Sequence, residues 1–371
     1  MIQRMLYSYL KKYLFQGKAI IITGPRQTGK TTLLKMIMSD FSEALYLNCD
    51  EPDIRQNLQN VTSTHLQSYL GKSKLVLIDE GQRIENIGIT IKLLVDNMPD
   101  KQVIVTGSSA IELADKIQET LAGRKFTFHL PPLSWQEMVD YHGFQTEKRL
   151  LNQRLIYGMY PDAVLKTNLQ KEILTDIVQS YLYKDLLLYN EIRKPDLLSK
   201  LLIALALQIG QEVSYLELAN LLKVSSMTVE KYIDLLEKVF VIFRLSSYAK
   251  NHRNELKKSK KIYFYDTGIR NAILGSFQPI ELRADAGALW ENYVISERQK
   301  TNQLSNPYLK SYFWRTKSQQ EIDLIEITAD AMSAYEIKWK VSGKRKPPEG
   351  FTSCYPHSEY GIITPDTFYN Y

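Results

Sequence analysis

The stretch Gly24-Pro25-Arg26-Gln27-Thr28-Gly29-Lys30-Thr31 limits what this chain can fold into more than any other. It fits G-x-x-x-x-G-K-[ST], the pattern of a phosphate-binding loop, and its setting agrees. Ala19-Ile20-Ile21-Ile22 before it is short and β-branched, like a buried strand. Leu33, Leu34, Ile37, Met38 and Phe41 after it have the spacing of one helix face. Strand, glycine loop and helix together are the context the motif requires. Gly24 and Gly29 let the backbone turn so that its N–H groups converge on phosphate oxygens. The helix starting near Lys30 adds the positive end of its dipole. Lys30 is expected to reach the β- and γ-phosphates of ATP and the Thr31 hydroxyl to ligate Mg²⁺, with Thr32 closing the nucleotide-binding run.

A second half of such a site follows. Leu75-Val76-Leu77-Ile78 runs into Asp79-Glu80, an apolar strand ending in two acids. Asp79 would hold Mg²⁺ through its water shell, and Glu80 would orient and polarise an attacking water. An acid directly after the metal-binding aspartate points to the ATPase branch with an added central strand, within an α/β fold. Val103-Ile104-Val105-Thr106 then ends in Gly107-Ser108-Ser109, where Thr106 and Ser108 are candidates to touch the γ-phosphate. Arg124, at the glycine turn Leu121-Ala122-Gly123-Arg124, is a candidate arginine finger, in cis or from a neighbouring subunit.

At 371 residues the chain exceeds what one hydrophobic core usually supports, so two or three domains are expected. Cys49 and Cys354 offer neither metal spacing nor a disulfide framework, which suits a reducing cytoplasm. Lys11 and Lys12 interrupt the N-terminal apolar pattern, unlike a signal peptide. The most apolar run, Leu201 to Leu207, is too short to span a bilayer, so no membrane association is expected. A net charge of +6 is compatible with nucleic acid without requiring it.

Residues 134–190 read as mostly helical, from Ser134 as N-cap, broken at Gly158 and Pro161, and are expected to act as a lid. The Tyr181-Leu182-Tyr183-Lys184-Asp185 segment reads as packing. Beyond it, an apolar helix from Leu197, a capped helix from Ser214 and a helix from Thr228 to Phe240 have helix-turn-helix geometry. In such a unit Ser225, Ser226, Met227, Thr228 and Lys231 would face the major groove of DNA. The hairpin of Val241–Tyr248 and Lys261–Tyr265 would carry Lys250, His252, Arg253, Lys257, Lys258 and Lys260 as a basic wing suited to phosphates. The same wing also fits a protein-docking or solvated surface.

In the last quarter, Glu291 lies in a helical run from Gly287 to Lys300, Asp323 on one strand, and Glu336 and Lys338 on the next. The E-x-K spacing puts Glu336 and Lys338 on one face. Asp323 and Glu336, with Glu291, could bind a second Mg²⁺ or Mn²⁺ through hard oxygens, with Lys338 positioning water. This arrangement resembles the PD-(D/E)xK nucleases.

The segments GPRQTGKTT, LVLIDEGQ, VTGSSA and LAGRKFTFHLPPLSWQE resemble the prokaryotic AAA-like ATPases of archaeal-ATPase type. The later GMYPDAV, YFYDTGIRNAIL and GALWENYV resemble the C-terminal domain of unknown function that those carry. The resemblance covers nearly the whole chain. It implies an ATP-binding core over 1–140, a helical connection over 141–194, a winged helix over 195–275 and a nuclease-like domain over 276–371. ATP and Mg²⁺ are the implied cofactors. DNA, a protein at the winged helix, or further copies of the chain are the partners considered.

Overall fold

The computed structural model describes residues 2–108, 120–182, 195–249, 260–341 and 346–370. The chain divides into two compact units, residues 1–143 with 238–240, and residues 144–237 with 241–371.

The first unit alternates strands and helices. Helix α1 (Met5–Leu10) precedes β1 (Ala19–Thr23), α2 (Lys30–Met38) and β2 (Ala44–Asn48). Then come α3 (Pro52–Leu58), α4 (Ser63–Leu70), β3 (Leu75–Asp79), α5 (Ile87–Asn97), β4 (Gln102–Gly107), β5 (Lys125–His129) and α6 (Trp135–His142). The five strands form one parallel sheet in the order β2-β3-β4-β1-β5. β4 therefore lies between the strand leading into the glycine loop and the strand ending in Asp79, which is the added central strand expected from Asp79-Glu80. β1, β3 and β4 are buried along their whole length, as a parallel sheet covered on both faces requires. Ala19, Ile21, Val76, Ile78, Val103 and Val105 pack against Leu66 and Leu70 of α4 and Ile87, Ile91 and Leu94 of α5. Strict strand alternation makes those residues one face of the sheet. Because all strands run the same way, their C-terminal ends open on one edge, where the loops after β1 and β3 meet the end of β4.

The second unit begins with α7 (Phe144–Tyr157), α8 (Pro161–Leu165), α9 (Gln170–Asp176) and α10 (Pro195–Leu207). It continues through β6 (Glu212–Val213), α11 (Tyr215–Leu222), α12 (Ser226–Lys238), β7 (Ile242–Ser247), β8 (Lys260–Phe264) and α13 (Thr267–Leu274). Last come α14 (Ala286–Ser305), β9 (Lys310–Arg315), β10 (Glu321–Ile327), β11 (Met332–Ile337), α15 (Glu349–Cys354) and β12 (Glu359–Ile363). Seven strands form one sheet, β12-β11-β10-β9-β7-β8-β6. Its two halves join where β7 pairs in parallel with β9, Ser246 opposite Tyr312 and Ser247 opposite Phe313.

One expectation changes here. Residues 195–275 and 276–371 do not separate, because one sheet runs through both. Residues 144–176, expected to act as a lid, are tied to the rest of the second unit. The Thr267 hydroxyl donates to the Arg154 carbonyl at 3.1 Å, and the Asn271 amide donates to the Leu155 and Ile156 carbonyls at 3.0 and 2.8 Å. These buried bonds fix α7 to α13. Ser109, Tyr183, Lys184, Asp185, Lys250, His252, Arg253, Lys257 and Lys258 lie outside the described residues, and with them most of the expected wing. Among the described residues no helix is long and apolar enough to cross a membrane.

Candidate functional site

The loop after β1 is shaped by two constraints. A side chain at Gly24 would put its Cβ 2.3 Å from the Leu130 carbonyl oxygen, so only glycine fits where the loop passes the end of β5. Gln27 and Gly29 have φ of 60° and 90°, and Gly29 caps α2. Left-handed residues beside the helix start turn successive amides inward, the geometry of an anion nest. Pro25 and Thr28 are buried, and the Thr28 hydroxyl donates to the Pro25 carbonyl at 2.8 Å, closing the loop on itself. Arg26 is half-buried, while Gln27 and Thr32 face solvent. The Lys30 ammonium, 4% exposed, donates to the Gly24 and Pro25 carbonyls at 2.9 and 2.7 Å. Its charge is thereby held at the loop.

Asp79 is the hub of the edge. Its Oδ2 accepts the Thr31 hydroxyl at 2.7 Å and the Tyr46 hydroxyl at 2.7 Å, and its Oδ1 accepts the Thr106 hydroxyl. Burial and the Asp79 carboxylate push the Tyr46 phenol up, so Tyr46 stays a donor. The next residue, Glu80, has φ 55° and gives its N–H to Thr106 Oγ1 at 3.1 Å. Its carboxylate accepts Gln82 Nε2 at 2.5 Å, and the same nitrogen reaches Ser108 Oγ at 3.0 Å. Lys30, Thr31, Asp79, Glu80, Thr106 and Ser108, singled out from separate segments, thus meet at one sheet edge. The donor set fits a magnesium-bound nucleotide: inward amides and an ammonium for phosphate, a hydroxyl and a carboxylate 2.7 Å apart for the ion. Tyr46 and Gln82 escaped sequence reading, since neither type belongs to a phosphate motif and each acts only through an acid that it holds, Asp79 or Glu80.

Arg124 is elsewhere. Its carbonyl accepts the Ala19 N–H at 2.9 Å, so it stands at the start of β1, whereas the glycine loop leaves the end of that strand. Five residues of strand put the two about 15 Å apart. Its guanidinium pairs with Asp96 at 2.7 Å. Arg124 is therefore not a cis finger for this loop.

The expected second metal site finds no support. Among the described residues no group of three or more His, Cys, Asp or Glu side chains is arranged to hold a metal ion. The acids of the second unit are instead served by lysines. Lys261, 2% exposed, pairs with Glu291 at 3.1 Å and Glu321 at 2.6 Å, and the Tyr263 hydroxyl donates to Glu291 at 2.6 Å. Burial lowers the Lys261 pKa, but Glu291, Glu321 and Asp323 outweigh it and hold the ammonium above its ordinary value. Lys338 pairs with Asp323 at 2.8 Å and lies 3.9 Å from Glu336, while the Ile337 N–H occupies the same Asp323 oxygen at 2.8 Å. Sequence reading placed Lys260 in a basic wing suited to phosphates and Lys261 at the start of the following strand; Lys260 is half-buried and Lys261 buried.

Residues 16–139 match the family model of an AAA domain. Residues 148–279 and 286–370 match two domains of unknown function, DUF8612 and DUF4143. The uncharacterized protein Rv2008c of Mycobacterium tuberculosis is 29% identical over 338 residues, covering 89% of this chain and 72% of the relative. An uncharacterized protein of Haemophilus influenzae is 26% identical, over 69% of each chain. The Walker-type ATPase PABY2304 of Pyrococcus abyssi superposes with a TM-score of 0.52 at 15% identity, over 74% of this chain and 96% of that one. The α/β fold matches that of a Walker-type P-loop ATPase. The AAA match spans the whole glycine-loop edge, and the 148–279 match crosses the boundary expected at 194.

On α11 and α12 the groups expected to face DNA are partly committed. Ser225 caps α12 through the Thr228 N–H at 3.1 Å, and the two hydroxyls are 2.9 Å apart. Ser226 is half-buried and Lys231 exposed. Leu216, Leu221 and Met227 are 66%, 64% and 79% exposed. Lys260 begins β8, flanked on one side by β7 and on the other by β6.

Proposed function

We propose that the chain is a Mg²⁺-dependent ATP hydrolase whose nucleotide state governs a second unit that binds a macromolecule without cutting it. One observation carries the first half: the Thr31 hydroxyl and the Asp79 carboxylate meet at 2.7 Å across a strand pair interrupted by β4, with Lys30 and Glu80 beside them. Thr31 and Asp79 would hold Mg²⁺, which supplies charge neutralisation for phosphoryl transfer. Lys30 offers its ammonium to phosphate oxygens. Glu80, aimed by Gln82, takes the proton of the attacking water.

The second half is supported by the lysines on the acids. The order α14-β9-β10-β11-α15-β12, with Asp323 and Glu336 on adjacent strands, is compatible with the nuclease-like resemblance. Its acids, however, are neutralised from within. The helix–strand–helix–helix–strand–strand order over 195–264 supports a winged-helix reading, with Ser226, Thr228, Lys231 and Lys260 as the described candidates for DNA. The exposed Leu216, Leu221 and Met227 on the same helices favour a macromolecular partner with apolar surface.

The test is turnover and binding in two variants. Lys30→Ala is expected to lose ATP binding. Glu80→Gln is expected to bind ATP and hydrolyse it about 10²–10⁴-fold more slowly. Wild-type turnover in Glu80→Gln would remove that residue from the chemistry. Absence of ATP binding by the unaltered protein would overturn the proposal.

A further inference from the structure

Among the described residues, a buried charge network around Arg4 touches the glycine loop and has no part in the reaction above. Arg4, just before α1, is 5% exposed although it lies near the start of the chain. Its Nε pairs with Glu137 Oε1 at 2.9 Å, its Nη1 donates to the Thr28 carbonyl at 2.5 Å, and its Nη2 donates to the Pro131 carbonyl at 2.7 Å. Glu137 is fixed in turn. Its Oε1 also accepts the Met5 N–H at 2.8 Å, and its Oε2 accepts the Ser134 N–H at 2.9 Å within the capping box of α6. A planar guanidinium with five donors can hold three such partners in one geometry; an ammonium on a flexible stem cannot.

We infer that Arg4 is a positioning residue for the phosphate-binding loop, acting on nucleotide through the Thr28–Gly29 peptide. The inference rests on the ATP-binding reading above. In a planar trans peptide the carbonyl and the N–H point to opposite sides. Pulling the Thr28 carbonyl onto Arg4 turns the Gly29 N–H away from Arg4, into the loop where phosphate oxygens are expected. Gly29 is the residue whose left-handed φ begins α2, so this peptide is the joint between loop and helix. Without the guanidinium the joint is free to flip, and one phosphate donor is lost.

The test separates positioning from general support. Arg4→Lys keeps a charge for Glu137 but cannot serve Thr28 and Pro131 as well. Glu137→Gln removes the ion pair and leaves Arg4 able to bond Thr28. Each folded variant is titrated with a fluorescent ATP analogue in Mg²⁺, beside its melting temperature. Arg4→Lys is expected to weaken binding about tenfold or more, the value of a charge-assisted hydrogen bond. Glu137→Gln is expected to lower the melting temperature while keeping affinity within about threefold of the unaltered protein. If Arg4→Lys does not fold, the double variant Arg4→Gln/Glu137→Gln, which buries no charge, takes its place with the same expected loss. Unchanged affinity in the Arg4 variant, or an equal loss in Glu137→Gln, overturns the inference. Failure of the unaltered protein to bind the analogue would instead sink the ATP-binding reading.

Discussion

At Thr106 one hydroxyl serves two partners: it donates to Asp79 and accepts the Glu80 N–H. Glu80 has the left-handed φ of 55° that a residue with a side chain adopts at a cost, and this bond helps to hold it there. Thr106→Val keeps the shape and removes both bonds. The Glu80 N–H is then left without its acceptor, at a cost of about 1–3 kcal/mol of stability. Turnover is expected to fall while ATP affinity stays close to normal, because the change misplaces Glu80 and Asp79 and leaves Lys30 alone. Urea unfolding beside steady-state kinetics checks both halves, and unchanged turnover would assign Thr106 to packing. Sequence could point to Lys30, Thr31, Asp79 and Thr106 because residue type and neighbouring pattern carry the chemistry there. Tyr46, Gln82 and Arg4 were not legible, since a tyrosine, a glutamine or an arginine acquires such a role only from what lies across from it. Arg124 shows the converse: its glycine turn suggested a finger, but only the register of β5 on β1 revealed which end of the sheet it occupies.

Among the elements, the α7–α13 junction explains two motifs that carried the family resemblance in the sequence. The Asp266 carboxylate accepts the Met159 N–H at 2.7 Å and the Ile269 N–H at 3.1 Å, and also the Gly268 N–H. Burial pushes the Asp266 pKa up, against the Lys300 charge and those three N–H groups, which favour the ionised form. A Cβ at Gly158 would lie 2.0 Å from Asp266 Oδ1, and one at Gly268 would lie 2.3 Å from the Tyr157 carbonyl oxygen. GMYPDAV and YFYDTGIRNAIL are therefore two sides of one packed joint. Asp266→Ala would leave three buried N–H groups without that acceptor, and about 3 kcal/mol or more of stability in the second unit should go with it. ATP affinity should remain. Scanning calorimetry with nucleotide titration reads both, and a normal melting curve would show that the joint holds without Asp266. The helices and strands here were largely legible from periodicity, including Ser214 as a cap. β6, α13, α15 and β12 were not.

At the scale of the molecule, the sequence suggested four segments where the chain makes two units. The pairing of β7 with β9 joins residues more than sixty positions apart, and no local pattern announces it. The same sheet sets which cations face the acids of the second unit. Lys261 lies on β8 and reaches Glu321 of β10 and Glu291 of α14, so the cation among these acids comes from the half of the sheet that sequence had assigned to another domain. Burial and Asp323 raise the Glu291 pKa, and the Lys261 ammonium in that position works against both by favouring the charged carboxylate. Lys338 supplies a second cation, paired with Asp323 at 2.8 Å. The full chain carrying Lys30→Ala, which disables the glycine loop, should therefore give no Mn²⁺-binding heat and leave plasmid DNA unnicked. Lys261→Ala, added to that background, removes one partner of a buried ion pair and should cost about 3–5 kcal/mol. Mn²⁺ should then raise the melting temperature of this double variant, because the freed carboxylates are hard oxygen ligands. Mn²⁺ heat in the Lys30→Ala chain that disappears with Asp323→Ala would show the opposite: that the acids bind metal in spite of their lysines, and that the second unit has the means to cut.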